Sequence, residues 1–236
     1  MTVTVQSVLD RAAIVLQDTA NIRWAESELV YWVNDAQREI ALLKPDSTAV
    51  NDTVTLATGT KQEIPAGGNR LLRVIRNMSA ASGGTGGKII RIVDAEVLNS
   101  QTPNWHNPTV TGDAKHGTVV KHYVYDEQNP RNYYVYPGVS GDAYIEIVYS
   151  SNPATVTAAD NLGVPDIYAA AVLNYVLFMA FMKDSNYAGN AQRASNHYQL
   201  FAAAVSGKGQ VDLITSPNNS LQTAAPVQMG GFASGN

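Results

Sequence analysis

The chain begins with a helical rhythm. Over roughly residues 4–17, Val5, Val8, Leu9, Ala12 and Leu16 recur at three- and four-residue steps and share one helix face. A turn-rich break, DTAN over 18–21, precedes a second such segment, RWAESELVYWVNDAQREI, over 23–40. Here Leu29, Trp32, Val33, Ala36, Ile40 and Leu43 fall on one face. Glu26 and Glu28 at its start and Arg38 and Lys44 toward its end suit the helix dipole, and Pro45 stops it. With Ala25 as N-cap, Trp24 and Leu29 take the spacing of a hydrophobic staple. Glu28 then holds the capping-box position, but Ala25 has no side-chain oxygen to complete the box. Trp24, Leu29, Trp32 and Ile40 are the expected structural anchors that lock two antiparallel helices together.

From about Thr53 the period changes to two. TVTL, KQEIP, LLRVIRNMSA and KIIRIV read as short strands divided by Gly, Asn and Pro. DAEVLNSQ, over 94–101, predicts a short helix capped by Asp94, and PNWHNPT a loop. TVVKHYVYDEQNPRNYYVYPGV predicts two strands around a turn. AYIEIVYS, with Ala143, Ile145, Ile147 and Tyr149 on one face, predicts another. Helix returns near Pro165 and ends near Lys183–Asp184. A last helix places Ala191, Ala194, Tyr198, Phe201 and Val205 on one face, with Gly207 as its stop.

The expected fold is α+β. A helical bundle from N- and C-terminal helices (1–48 and 160–207) carries an inserted, mostly antiparallel β domain (49–159) and an extended C-terminal arm (208–236). The arm is poor in charge, and composition alone allows a disordered terminus. Its spaced hydrophobics, Val211, Leu213, Ile214, Leu221, Val227, Met229 and Phe232, suit an arm that orders against a partner.

The apolar stretch over 167–182 is shorter than the roughly 20 residues a bilayer needs and contains Asn174, so a core helix is expected rather than a membrane span. The start of the chain lacks the basic and apolar regions of a signal peptide. The balance of 16 basic and 20 acidic residues, a net charge of −4, argues against a protein that grips nucleic-acid phosphates. The absence of cysteine excludes disulfides, thiolate catalysis and thiolate metal sites.

Chemical motifs fail individually. SGGTGGKII, over 82–90, has Ser82 where a phosphate loop needs its first glycine and Ile89 where it needs Ser or Thr, so a flexible hairpin loop is expected. His106, His116, His122 and His197 are dispersed and lack metal-ligand spacing. No G-x-S-x-G elbow occurs. Glu26 and Glu28 point to different helix faces and form no acid/base pair. Neither an enzyme nor a cofactor or metal site is expected. Two other readings stay open at this stage. Tyr123, Tyr125, Tyr133, Tyr134 and Tyr136 could form a glycan-stacking face, or Asp, Glu and His from across the fold could assemble a hydrolase site.

Three stretches resemble a known family. RWAESELVYWVNDAQREIALLKPD, with the preceding Gln17 and Asp18, is similar to the second helix of head-to-tail adaptor proteins of short-tailed phages, also described as tail tubular protein A-like. The shared positions are Gln17, Asp18, Arg23, Trp24, Glu28, Leu29, Trp32, Asn34, Ala36, Gln37, Arg38, Ile40, Pro45 and Asp46. NPRNYYVYPGVSGDAYIEIVYSSNP, over 129–153, resembles that family's hairpin, and VPDIYAAAVLNYVLFMAFMKDSNYAGNAQRASNHYQLF its closing helices. Ala25 departs from the family's usual polar cap, and Asn129 from its commoner Asp.

The resemblance implies a structural virion protein of the neck and tail, assembled in the host cytoplasm. It implies a dodecameric ring of neighbouring copies that joins the portal protein to the tail nozzle protein. Genomic DNA would pass through its lumen without sequence-specific binding. The arm would contact the portal or a neighbouring subunit, and no membrane is involved.

Overall fold

A computed structural model describes residues 2–187 and 189–215. The two sequence periods sort the chain into separate buried cores. α1 (Val5–Leu16) starts at Thr4, whose hydroxyl accepts the Ser7 amide at 3.2 Å. α2 spans Glu26–Leu43, and α3, outside this core, spans Ala95–Gln101. α4 (Ala169–Lys183) follows a 3-10 turn over Asp166–Tyr168, and α5 spans Asn190–Thr215. The expected stripe of α1 is buried, as are Trp24, Leu29, Trp32 and Ile40. They share one core with Val172, Val176 and Phe181 of α4 and Phe201 of α5. The apolar α4 packs against α1, α2 and α5, which accounts for its hydrophobic character on nearly all sides.

Two helix boundaries differ from expectation. Pro165 caps the 3-10 turn, so α4 itself begins at Ala169. α5 continues through Gly207 to Thr215, so residues 208–215 are helical where an extended arm was expected. A glycine inside a helix costs about 1 kcal/mol relative to alanine, which weakens a helix without ending it.

The middle of the chain forms eight strands: β1 (Ala49–Thr55), β2 (Gly59–Glu63), β3 (Gly68–Met78), β4 (Gly86–Ile89), β5 (Arg91–Ile92), β6 (His122–Tyr125), β7 (Asn132–Val139) and β8 (Tyr144–Ser151). They make two sheets, ordered β1-β8-β3-β4 and β2-β7-β6-β5. Every strand pair is antiparallel except β5–β6. Leu71, Val74, Ile145 and Ile147 of the first sheet and Tyr123, Tyr133 and Val135 of the second fill one core.

The middle of the second sheet, β6 and β7, is covered on both faces. Its other face carries a small cluster of Leu98, Trp105, Ala114, Val124 and Tyr136, built by α3 and the segment after it. The PNWHNPT segment, read as a loop, thus buries the third tryptophan. Trp105 donates its indole N–H to Asn99 Oδ1 at 3.1 Å and meets Tyr134 and Tyr136 edge-on. The expected single strand KIIRIV breaks at buried Ile90 and supplies β4 to one sheet and β5 to the other. The glycine-rich stretch before it connects β3 to β4 as a hairpin. A phosphate loop would have to lead into a helix, and this one leads into a strand.

β3 shows an uncommon period. Its pairing with β8 shifts between Gly68/Arg70, Leu71/Arg73 and Val74/Arg76. Each shift sets an extra residue against one partner. Leu71, Val74 and Asn77 therefore lie opposite Tyr149, Ile147 and Ile145 on the core side. Arg70, Arg73 and Arg76 lie opposite Ser150, Val148 and Glu146 on the outer side.

Ala25 is the N-cap of α2 and makes no side-chain cap bond. Ala25→Ser should restore that bond and gain about 1 kcal/mol. The check is thermal denaturation, with an expected rise of roughly 2–4 °C for a chain of this size.

Candidate assembly site

The polar residues inside the second helix explain why the apolar stripe is interrupted. Asn34 is buried and faces the chain that returns from the β sheets. Its Nδ2 donates to Val156 O at 2.9 Å and to Val30 O at 3.0 Å, and its Oδ1 accepts the Val156 amide at 2.8 Å. One amide side chain therefore satisfies both backbone groups of Val156. One turn on, fully buried Gln37 accepts the Gly163 amide through Oε1. A Cβ at residue 163 would stand 3.1 Å from that oxygen, so glycine permits the close approach.

The same return segment covers the start of α1. Asp160 O and Ala158 O accept the Val5 and Gln6 amides at 2.9 and 3.1 Å. These are donors that a helix start leaves unsatisfied. Asp166 Oδ1 accepts the Val3 amide at 3.0 Å.

A second set of contacts joins the α1–α2 turn to the end of α4. Gln17 adopts a left-handed backbone, φ 55°, that closes α1. The Asp18 carboxylate then accepts three successive amides, from Ile22, Arg23 and Trp24, at 2.9, 2.8 and 3.0 Å. The bond from Trp24, with those from Ile22 and Arg23 and the nearby guanidinium, holds the Asp18 carboxyl below the usual carboxylate range, against the opposing effect of desolvation. Arg23 reaches Asp184 at 2.6 Å and lies over the rings of Trp24 and Tyr187 at 5.2 and 4.8 Å. Glu28 pairs with Lys183. The Arg-Trp and Glu-Leu positions of the first stretch therefore meet the Lys-Asp positions of the third.

In the middle stretch, Arg131 joins β2 to β3. It reaches Glu63 Oε1 at 3.0 Å and donates to Gly68 O at 2.8 Å.

The expected arm residues are only partly described. Val211 is 53% exposed on the last turns of α5. The backbone of Leu213 and Ile214 belongs to that helix. Leu221, Val227, Met229 and Phe232 lie outside the described residues.

The tyrosines of the alternative stacking-face reading are largely interior. Tyr123 and Tyr133 belong to the core between the sheets, and Tyr136 to the small outer cluster, so their rings do not present one exposed platform. The histidines serve local contacts. His106 pairs with Thr60 Oγ1 at 2.8 Å, His116 with Trp105 O at 3.3 Å and His197 with Asn174 Oδ1 at 2.9 Å. His122 stacks on Tyr136. Among the described residues, no three His, Asp or Glu side chains are grouped to hold a metal ion.

The sequence pattern pointed to Asn34, Gln37, Arg23 and Arg131 only as shared positions. Their roles depend on partners far along the chain, from Glu63 to Asp184. Residues 3–221 match the family model described as SU10 adaptor protein. No curated protein matches the chain.

Asn34→Ala should strip two buried backbone groups of their partner and cost about 2–6 kcal/mol, at roughly 1–3 kcal/mol per group left unsatisfied. Chemical denaturation of the variant measures that loss. Asp18 has a folded pKa below its unfolded one. Its contribution to stability is therefore full above the ordinary carboxylate range and disappears as pH falls through the lowered value. Asp18→Asn should melt lower than the parent at neutral pH and show a shallower decline in acid. Equal acid slopes in a melting series would contradict that role.

Proposed function

Because the chain belongs to the SU10 adaptor protein family, a family of phage structural adaptors, we propose that it forms a ring joining the portal protein to the tail nozzle protein, with genomic DNA passing through the lumen. The observation that carries this reading is the family match across residues 3–221. The joints between the matching stretches support it, since they fix α2 against the end of α4 and β2 against β3, so that each copy holds one shape.

In this reading the helical unit, 1–48 with 160–207, docks toward the portal. The β unit, 49–159, faces the tail. The segment 208–236 reaches the portal or a neighbouring copy, first as the end of α5 and then through Leu221, Val227, Met229 and Phe232. The ring is dodecameric and sits in the neck of the virion after assembly in the host cytoplasm. Exposed apolar side chains on the helical unit, including Tyr31, Leu42, Ile167 and Leu200, supply surface for such contacts. The work is positional, with a heterologous contact repeated from copy to copy, and involves no catalysis or cofactor.

Electron microscopy of this protein mixed with the portal protein from the same genome should show added rings below the portal. A bare portal would overturn the reading. Removing residues 216–236 should leave the melting temperature of the free chain nearly unchanged and abolish ring formation on the portal. A large drop in melting temperature would instead assign that segment to the core.

A further inference from the structure

The first sheet ends in two unpaired strands of different character. β1 pairs with β8 on one side, and β4 pairs with β3 on one side, so each has a free edge among the described residues. β1 is AVNDTVT, seven residues in unbroken register with β8. It has none of the lysine, proline or bulges that commonly blunt a sheet edge. The strand directions alternate across the sheet, so β4 and β1 run in opposite senses. A second copy placed edge to edge would continue the antiparallel pattern.

The charges on the two edges are complementary. Asp52 lies opposite Ile147, on the core side of the sheet, but stands exposed at the edge of β1. On β4, Ile89 lies opposite Arg76 on the outer side, and a bulge between Ile89 and Gly86 sets Gly87 and Lys88 together against Asn77, on the core side. Beside it a groove of about 590 Å³ is lined by Lys88, Arg91, Lys121, Ile89 and Val119, among others. Ile89 is 61% and Val119 49% exposed. Lys121 lies 3.8 Å from the exposed Asp113. The stretch over 64–93 contains five basic residues and no acidic one, although the whole chain is net negative.

We propose that β1 of one copy adds antiparallel to β4 of the next, with Asp52 seated against Lys88 and Lys121. Like charges directly opposite destabilise strand pairing. Two β1 edges would oppose Asp52 to itself, and two β4 edges would oppose Lys88 to itself. Only the mixed contact brings opposite charges together. Since the two edges are different surfaces of one chain, the contact is heterologous and propagates around a ring. The incoming strand also covers Ile89 and Val119. The ring rests on the adaptor reading; the strand contact itself stands on the edges.

The test uses full-length chains carrying Asp52→Lys, Lys88→Asp, or both. Circular dichroism establishes that each variant folds, and both positions are exposed. Self-association is measured by sedimentation up to millimolar protein, and occupancy by microscopy on the portal. Each single reversal should weaken association by roughly tenfold or more, and the double reversal should recover most of it. Slowed hydrogen exchange of β1 amides in the assembly, relative to monomer, is the second expected result. Rings with unaltered variants or with β1 amides exchanging as in the monomer would overturn the strand contact and leave the adaptor reading standing. A bare portal, with sedimenting oligomers sensitive to Asp52→Lys, would overturn the adaptor reading and leave the contact standing. A chain that stays monomeric at every concentration, on a bare portal, would overturn both.

Discussion

The whole arrangement depends on how the chain re-enters the helical core after the β sheets. That return segment, over 152–164, lies outside helix and sheet apart from one isolated bridge of Asn161 with Thr4. Asn34 and Gln37 supply partners for Val156 and Gly163 from inside α2. A buried backbone amide or carbonyl left without a partner costs about 1–3 kcal/mol, so the segment has a strong preference for this one seat. Once seated, its own carbonyls satisfy the first amides of α1. Two helices distant in the sequence from the returning strand are thereby tied to it by hydrogen bonds that apolar side chains could not replace. Apolar burial is non-directional. It brings helices together without fixing where a loop runs across them.

The ionic contacts do the same for the opposite end of the helical core, with a different energy scale. Arg23–Asp184 and Glu28–Lys183 are partly exposed, and pairs of that kind contribute little individually. Their geometry is more informative than their strength. Arg23 lies between two aromatic rings while it reaches Asp184, and Asp18 gathers the amides of the residues just before the second helix. The turn between α1 and α2 is consequently defined against the end of α4. In the proposed ring such defined joints would serve assembly, because every copy would present the same surfaces at the same angles.

Much of this was legible in the sequence, and the limits have physical causes. The helical stripes of α1 and of α2 as far as Ile40, the Asp94 cap, the core face of β8 and the α–β–α order follow from local periodicity and turn chemistry, whereas Leu43, read into the α2 stripe, is exposed at the helix end. The family match over most of the chain agrees with the resemblance drawn from spaced residues. What local pattern missed were features set by a second layer. Trp105 sits in a stretch that reads as loop, because its neighbours Asn104, His106 and Asn107 are polar and its burial comes from packing on the second sheet. Tyr123 and Val124 are consecutive in β6 and both buried, which a half-exposed strand does not allow. The end of α5 was misplaced at Gly207 because a glycine weakens a helix by an amount that neighbouring turns can absorb. Asn34 and Gln37 were visible only as positions, since their partners lie more than a hundred residues away.

Net charge says nothing of how the charges are sorted. A value of −4 is a small excess of acidic over basic side chains, and it is compatible with a local basic patch. Residues 49–159 hold nine basic and nine acidic side chains, and five of the basic ones lie in 64–93 without an acid among them. The bulges of β3 then turn Arg70, Arg73 and Arg76 to one side, which a regular two-residue period could not do at a spacing of three. Sorting of this kind has little use in a monomer, where interspersed charges give the same solubility with less self-repulsion. It has a use where one surface must find a different surface on an identical chain. A uniform coat cannot distinguish head from tail, whereas segregated edges can. For a phage structural adaptor, a directional surface of this kind is where the proposed contact between copies draws its specificity.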